Sequence, residues 1–415
     1  MISKHEWEEQ LMNKKWLSMR MKHGLGATGY SDFRISEIEK ELKNVIEMSP
    51  GTYRGSIQPS KLVIEAAKKA LDDGFTDYTY WEGLADFRKA VAKKLKRENG
   101  IEADPEKHIT PTSGCTHAFD MTLRILVDPG DEVMMIDPEY CYFWRKLREH
   151  GAKTVPVPLK EPTKPASHWE FDTTALEKRI TSRTKMLVMS NGNNPSGKLY
   201  SKEELEAVAE IATKNKIFVF SDELYEKVVF DGYKHFGIAS LPGMAEYTIT
   251  AIGFSKMQAM SGFRVGFAVA NEEITRHMKW LVGHTVECVN SVGQKAAIAA
   301  MSEEMDDWHE EILSELQRRR DFAVARLNKI GGIVCNLPVG SYFLFPNISK
   351  LGTSQEVAEF FLREGRVKVL LGTDYGQING EGHIRISFCA GWDRLAEGLE
   401  RIAVTAEKLL AQKRR

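Results

Sequence analysis

Short apolar segments alternate with amphipathic helical segments through the middle of this 415-residue chain, and this alternation constrains the fold more than any other feature. The apolar segments include 184–190 and 216–222, and the segment 201–212 between them has the apolar spacing of a helix. Ser201 and Glu204 form the capping-box pattern that begins a helix. Strands that alternate with helices predict a three-layer α/β/α domain around a mostly parallel sheet. In such sheets, ligands bind beyond the carboxyl ends of the strands.

The C-terminal part of the chain has a different pattern. A long helical segment from about 296 to 329 precedes a hairpin-like segment at 340–346, a strand candidate at 383–388 and a terminal amphipathic helix. This order predicts a smaller α+β domain, to which the N-terminal segment returns. The predicted boundaries are 1–50 for that N-terminal segment, 51–300 for the large domain and 301–415 for the small domain.

Composition and charge exclude several classes of protein. Hydrophobic residues make up 42% of the chain and charged residues 28%, which is typical of a soluble globular protein. The formal net charge of −1 gives no global attraction to nucleic acid or to anionic lipid. The 5 cysteines are scattered and form no Cys-x-x-Cys pair, which argues against a disulfide framework and against zinc. The charged N-terminus lacks the apolar segment of a signal peptide, and no apolar run reaches the length of a membrane span. The sequence therefore predicts a cytoplasmic protein that binds no metal, nucleic acid or membrane.

Lys256 follows an apolar run, 249–254, that has the character of a buried strand. A lysine at the end of such a strand loses part of its hydration, and this lowers the pKa of its amine. A neutral amine can act as a nucleophile or as a base. Lys256 is therefore a candidate catalytic residue.

Two other charged residues stand in apolar surroundings. Asp222 ends the apolar segment 216–222, and Arg385 lies within the strand candidate 383–388. A charged side chain in such a position is costly unless an ion of opposite charge pairs with it. Arginine is suited to bind a carboxylate through two parallel hydrogen bonds. The pattern predicts a bound cationic group beside Asp222 and a bound anionic group beside Arg385.

Two turns follow other apparent strands. The segment 112–118 places small residues at the start of a helix, where backbone N–H groups can converge on an anion. Tyr140 follows the strand that ends at Asp137, and an aromatic side chain there can cover a flat ligand. Taken alone, each of these patterns is common in proteins without a ligand.

Together, these segments resemble the class I and II aminotransferases of the aspartate aminotransferase superfamily, which are pyridoxal phosphate (PLP) enzymes of fold type I. The resemblance extends over roughly residues 40–410 and follows the family order and spacing. The matching segments are 78–90, 112–118, 137–140, 191–197, 221–225, 253–266 and 383–388.

The resemblance assigns the cofactor contacts. It implies that Lys256 binds PLP covalently and later acts as the general base. Asp222 pairs with the pyridinium nitrogen, Tyr140 stacks on the ring, and Asn194 and Tyr225 contact the 3′-oxygen. The implied phosphate contacts are Gly114, Cys115, Thr116, Ser255 and the cation Arg264.

The resemblance also implies a substrate site and a partner subunit. Arg385 matches the arginine that binds the substrate α-carboxylate, and Gly51 and Asn194 lie on the same side. Tyr78 matches a tyrosine that reaches the cofactor phosphate of the other subunit. A homodimer with a composite active site follows from that match.

Two segments depart from the family pattern. Gly253 stands where the family often has Ser or Thr donating to the phosphate, which leaves that contact open, with Ser255 as the candidate to replace it. The segment Gly51-Thr-Tyr-Arg-Gly-Ser-Ile-Gln-Pro59 replaces the usual Gly-x-Pro-Asp-Phe-x-Thr-Pro substrate segment. Arg54 in this segment is a candidate for binding a substrate side-chain carboxylate.

The implied function is transfer of an amino group from an L-amino acid to a 2-oxo acid by a ping-pong mechanism. A PLP-dependent lyase, decarboxylase or oxidase on the same scaffold stays open, because fold and cofactor do not determine which bond breaks. A non-catalytic PLP-binding domain of a transcriptional regulator ranks last. The N-terminal fifty residues are too short to form the DNA-binding module that it needs.

Overall fold

The computed structural model describes residues 6, 9–10, 12–25 and 29–413, with side chains described throughout except at 23–25 and 29–33. The N-terminal segment on which the signal-peptide interpretation rests lies largely outside the described residues, as do Arg414 and Arg415.

A seven-stranded sheet forms the centre of the large part of the molecule, in the order β2-β8-β7-β6-β5-β3-β4. β8 is antiparallel to both of its neighbours, and the remaining neighbours are parallel. The carboxyl ends of β2, β3, β5, β6 and β7 therefore share one edge, as does the start of β8. The strands are β2 (Ile109–Thr112), β3 (Glu132–Asp137), β4 (Lys153–Pro158), β5 (Thr184–Ser190), β6 (Phe218–Asp222), β7 (Thr248–Gly253) and β8 (Gly266–Val269).

Both faces of this sheet are buried, which explains why its strands are continuous apolar runs. In β3, Val133 and Met135 face one hydrophobic cluster, and Met134 and Ile136 face another. Helices cover the two faces and complete a three-layer α/β/α arrangement. The helices of this part are α3 (Lys61–Asp72), α4 (Ala85–Lys94), α5 (Cys115–Leu126), α6 (Cys141–Glu149), α7 (Thr173–Glu177), α8 (Lys202–Asn215), α9 (Glu272–Thr285) and α10 (Ser291–Ala300), and a π-helical turn at Leu95–Asn99 extends α4.

The C-terminal part has its own small sheets and its own hydrophobic cluster. Three short strands pair antiparallel in the order β11-β12-β9, and β1 pairs parallel with β10. The pairing of Ile46 with Val367 supports the predicted return of the N-terminal segment, and the domain boundaries themselves stay a prediction. The elements are α2 (Gly29–Lys40), β1 (Ile46–Glu47), α11 (Asp306–Leu327), β9 (Phe343–Leu344), α12 (Ser354–Gly365), β10 (Val367–Lys368), β11 (Leu370–Leu371), β12 (Ile384–Ser387) and α13 (Trp392–Lys413). The first helix, α1 (Met19–Leu25), instead packs against α6 of the large part.

The predicted fold class is confirmed, and one predicted element is wrong. The capping box of Ser201 and Glu204 begins α8 as expected. The continuous helix predicted for 296–329 is instead two helices, α10 and α11, with a short 3-10 turn at Glu303–Met305 between them. Ser302 has extended backbone angles, and the acidic residues after it favour the first turn of a new helix.

Within the part of the chain that the structure describes, no helix combines the length and apolar character needed to cross a membrane.

Candidate active site

A cavity of about 510 Å³ lies at the shared carboxyl edge of the large sheet and extends to the small sheets. Most of the predicted site residues come together in its wall because the strands deliver them to one edge. Those in the wall are Gly51, Arg54, Gly114, Cys115, Thr116, Tyr140, Asn194, Asp222, Tyr225, Ser255, Lys256, Arg264 and Arg385.

The Lys256 amine lies in this cavity, shortly after the end of β7. Its Nζ donates a hydrogen bond to the Gly51 carbonyl oxygen at 2.6 Å. Burial lowers the pKa of Lys256 to about 8, and the neighbouring Arg385 cation acts in the same direction. A substantial fraction of the amine is therefore neutral near pH 8 and able to act as nucleophile or base.

Asp222 ends β6, and its carboxylate faces the same cavity. Burial raises the pKa of Asp222 to about 6, while the Leu224 backbone N–H, the Cys115 thiol and Lys256 oppose that rise only in part. The Leu224 N–H donates to Oδ1 at 3.1 Å. A buried carboxylate with so little compensation is suited to pair with a cationic group of a ligand.

The structure gives a steric reason for Gly253, where the family often has Ser or Thr. A Cβ at this position would lie 3.0 Å from Leu224 Cδ1 and 3.2 Å from the Cys115 thiol. Both contacts are tighter than a side chain usually tolerates. Cys115 and Leu224 thus fill the space that a hydroxyl side chain at 253 would need.

An anion-binding cup lies between the start of α5 and Arg264. Gly114 is the N-cap of α5, has φ of +85° and offers no side chain to cap the helix. The Arg264 guanidinium lies against it and donates to the carbonyl oxygens of Ser113 and Ser261, each at 3.0 Å. A helix N-terminus and a fixed guanidinium together favour a phosphate.

Aromatic and amide side chains line the cavity between Lys256 and Arg385. Tyr140 is the N-cap of α6, at the end of the β3 loop. The Tyr225 hydroxyl is buried and makes no hydrogen bond of standard geometry within the described residues. Tyr342 beside it instead donates to the Gly51 carbonyl oxygen at 2.6 Å. The Tyr225 hydroxyl lies close to the Tyr342 hydroxyl, in the wall of the cavity, where it can also contact a ligand oxygen.

Arg385 extends from β12 into the cavity and is 4% exposed. Its Nη1 donates to Asn194 Oδ1 at 3.0 Å, and its Nη2 donates to the Ser49 carbonyl oxygen at 2.7 Å. Its Cζ lies 4.1 Å from the centre of the Phe343 ring and 4.9 Å from the centre of the Tyr375 ring. These contacts hold the guanidinium plane in one orientation, which suits recognition of a planar carboxylate.

Arg54 also lines the cavity, but its charge is already paired. Its Nη2 lies 2.5 Å from Glu47 Oε2, and its side chain is 54% exposed. The backbone φ of Arg54 is +45°, which is unusual for a residue with a side chain, and Arg54 lies within the atypical 51–59 segment. An acidic ligand at this place would compete with Glu47 for Arg54.

Tyr78 does not line this cavity. Its side chain is 85% exposed, as is that of Tyr80, and Trp81 beside them is 43% exposed. So much exposed aromatic surface in one loop is typical of a subunit contact.

Glu139 has an evident role in the site and was not identified from the sequence. Glu139 is fully buried and accepts hydrogen bonds from the Tyr140 N–H at 2.8 Å, the Ser190 hydroxyl at 2.6 Å and the Asn193 amide at 3.1 Å. Burial raises the pKa of Glu139 to about 8. It ties the Tyr140 loop to the loop that carries Asn194. Its position directly after an apolar strand is the signal that could have identified it.

Comparisons with known proteins agree with this geometry. The family model for aminotransferase class I and II matches residues 43–402. An aspartate aminotransferase of Pyrococcus abyssi is 36% identical over 400 residues, covering 95% of this chain and 100% of that protein. The aromatic-amino-acid aminotransferase 2 of Thermococcus litoralis is 36% identical and covers 91% of this chain and 96% of that protein.

Solved structures show the same similarity. An aromatic aminotransferase from Pyrococcus horikoshii superposes with a TM-score of 0.83 at 34% identity, covering 92% of this chain and 99% of that one. An alanine aminotransferase from Pyrococcus furiosus superposes with a TM-score of 0.87 at 30% identity, covering 94% of this chain and 100% of that one. This chain belongs to the class I and II aminotransferases, with the fold-type I architecture, and is an aminotransferase.

Proposed function

We propose that this aminotransferase uses PLP to move the amino group of an L-amino acid to a 2-oxo acid in two half-reactions. The observation that carries the proposal is the meeting of three groups in one cavity: the Lys256 amine, the Asp222 carboxylate and the Arg385 guanidinium. They offer a nucleophile, a partner for a cation and a partner for a carboxylate.

The residues of the cavity fit PLP group by group. The cup at Gly114, Cys115 and Thr116, with Arg264 and Ser255 beside it, suits the phosphate. The buried Asp222 suits a protonated ring nitrogen. The buried Tyr225 hydroxyl and the Asn194 amide suit the ring 3′-oxygen, and Tyr140 suits the ring face.

When bound, PLP supplies an electron sink that acidifies the Cα–H bond of the amino acid. Lys256 would hold the cofactor, and its amine is placed to move a proton because its pKa of about 8 lies near neutral pH. Asp222 would keep the ring nitrogen protonated, because its buried carboxylate is only partly compensated by its neighbours. Tyr140 excludes water from the ring.

Arg385, in the wall of the same cavity, is placed to bind the substrate carboxylate. Its guanidinium is fixed by Asn194 and Ser49 and lies close to both Phe343 and Tyr375. A carboxylate bound to this plane has only one favourable orientation. Arg385 would thus contribute mainly to binding of the substrate carboxylate in the cavity.

The experiment that tests the proposal is a half-reaction. Purified holoenzyme mixed with an amino donor, and with no 2-oxo acid, is expected to release one equivalent of 2-oxo acid per active site and then stop. A lyase, a decarboxylase or, in oxygen, an oxidase would continue turning over under the same conditions. Product is measured by chromatography over time.

Adding a 2-oxo acid acceptor is the control, and it should restart product formation at once. Sustained turnover with the donor alone, or release of ammonia or carbon dioxide, would show that the reaction is not a transamination.

Arg54 is proposed to bind the side-chain carboxylate of an acidic substrate, in competition with Glu47. Glu47→Gln removes the competing charge, so the KM for aspartate is expected to fall several-fold, while the KM for an aromatic donor changes little. Arg54→Ala should raise the KM for aspartate selectively. Steady-state kinetics with both donors measure the two effects, and unchanged aspartate constants in both variants would contradict the role of Arg54.

Tyr78 is proposed to complete the site of a second copy of the chain, so that the working enzyme is a cytoplasmic homodimer with composite active sites. The exposed aromatic side chains of Tyr78, Tyr80, Trp81 and Trp280 support this proposal.

A further inference from the structure

Asp137 ends β3 and is fully buried. Its carboxylate accepts three backbone N–H groups from a single loop about 240 residues away in sequence. Oδ2 accepts from Gln377 at 2.7 Å and from Ile378 at 2.9 Å, and Oδ1 accepts from Asn379 at 3.0 Å. Three converging N–H groups can satisfy a buried carboxylate without a cation.

Further hydrogen bonds attach the same loop to the large part of the molecule. The Asn379 side-chain amide donates to the carbonyl oxygens of Asp137 and Leu159, each at 2.8 Å. The Tyr375 carbonyl oxygen accepts from the Glu139 N–H at 2.7 Å and from the Trp144 indole N–H at 2.8 Å. The loop is therefore fixed at both of its halves.

Glycine is required where this loop meets Asp137. A Cβ built on Gly376 would overlap Asp137 Oδ1, and a Cβ built on Gly380 would overlap the Gly376 carbonyl oxygen. The loop thus folds tightly around the carboxylate, and neither partner can change without moving the other.

This loop carries one face of the Arg385 site. Tyr375, which is 1% exposed, lies 4.9 Å from the Arg385 guanidinium carbon. The loop also joins β11 to β12, in which Leu370 pairs with Arg385. Movement of the loop would displace the Tyr375 ring and the start of the strand that holds Arg385.

We propose that Asp137 is a positioning residue for substrate binding: it fixes the loop of Tyr375 and thereby holds the Arg385 guanidinium in the orientation that receives the substrate carboxylate. This inference rests on the proposed role of Arg385. It assigns no contact between Asp137 and either substrate or cofactor.

Asp137→Asn is the most direct test. The variant keeps the size of the side chain but replaces one acceptor oxygen with an NH₂ group, which faces N–H donors and repels them. We expect the KM for the amino donor to rise about ten-fold, which corresponds to the loss of roughly one good hydrogen bond. The kcat and the PLP dissociation constant should be nearly unchanged. Gly376→Ala should disturb the contact between the loop and the Asp137 carboxylate from the loop side, and should therefore also raise KM without a large change in kcat.

Asp172→Asn is the matched control, because Asp172 also accepts two backbone N–H groups but lies outside the cavity. Its KM should equal that of the wild type. Arg385→Lys serves as the reference for loss of carboxylate binding and should raise KM by more than either Asp137→Asn or Gly376→Ala.

If Arg385→Lys raises KM while Asp137→Asn and Gly376→Ala do not, the inference is wrong and the proposed function stands. If Asp137→Asn lowers kcat and the affinity for PLP as well as raising KM, Asp137 has a general structural role and the inference is also wrong. If Arg385→Lys leaves KM unchanged, the proposed function itself fails. Should Asp137→Asn not fold, Asn379→Ala decides. It leaves the Asp137 carboxylate in place and removes only the hydrogen bonds from the Asn379 side-chain amide to the Asp137 and Leu159 carbonyl oxygens.

Discussion

Lys256→Ala is expected to abolish turnover and to remove the visible absorbance of the covalently held cofactor. Lys256 places an amine of lowered pKa in the cavity, and an alanine can neither bind the cofactor covalently nor move a proton. We expect kcat to fall by several orders of magnitude, because nucleophile and base are lost together. Activity with a coupled assay and the absorbance spectrum of purified protein measure the two effects.

Lys368→Ala is the matched control for this prediction. Lys368 lines the same cavity, but its amine forms an ion pair with Glu39 at 2.7 Å. The control should keep the visible band and most of the activity. A Lys256→Ala protein that still shows the band, or a Lys368→Ala protein that loses it, would contradict the assignment of Lys256.

The pH dependence of cofactor binding gives an independent check. Only the neutral amine of Lys256 reacts, and its pKa of about 8 lies well below that of an ordinary lysine. The rate of reconstitution of the apoprotein with PLP should therefore rise through about pH 8 and then level off. A rate that keeps rising to pH 10 would show an unperturbed lysine.

The sequence allowed the prediction of residues whose position depends on strand ends. Asp222, Asn194 and Lys256 each follow an apolar run, and parallel strands bring the ends of such runs to one edge. Their convergence in one cavity follows from this topology. The fold class could be predicted for the same reason, since the alternation of strand and helix is local in sequence.

Contacts between distant segments could not be predicted in this way. Asp137 accepts hydrogen bonds from residues 377–379, and Arg385 donates to Asn194 and to Ser49. Hydrophobic periodicity carries no information about such polar contacts, because they depend on how two finished substructures dock. The break between α10 and α11 was missed for a related reason, since the apolar spacing of the two helices continues through a short 3-10 turn.

Asp222→Asn is expected to lower kcat by about 100-fold or more, the range measured when one preorganised electrostatic contact is removed from an active site. The asparagine oxygen can still accept the Leu224 N–H, so the fold should be retained. The variant lacks the negative charge that keeps the ring nitrogen of PLP protonated. Stopped-flow measurement of the half-reaction with donor alone isolates this step.

Glu223→Gln is the matched control, because Glu223 is the adjacent buried carboxyl, accepts the Ser221 hydroxyl at 2.9 Å and does not line the cavity. It should leave the half-reaction rate close to that of the wild type. Equal losses in both variants would mean that packing at this strand end, rather than pairing by Asp222, supports activity.

The affinity for PLP should also depend on pH through Asp222. Burial raises the pKa of the Asp222 carboxyl to about 6 in the free protein, and a bound cation lowers it by stabilising the ionised form. Binding of PLP below pH 6 therefore releases a proton from Asp222. The contribution of this group to the affinity should rise with pH up to about pH 6 and then become constant. In Asp222→Asn this component of the pH dependence should be absent, because the amide does not titrate. Fluorescence titration of apoprotein with PLP from pH 5 to 8 checks this, and identical profiles for the two proteins would rule out Asp222 as the partner of the ring nitrogen.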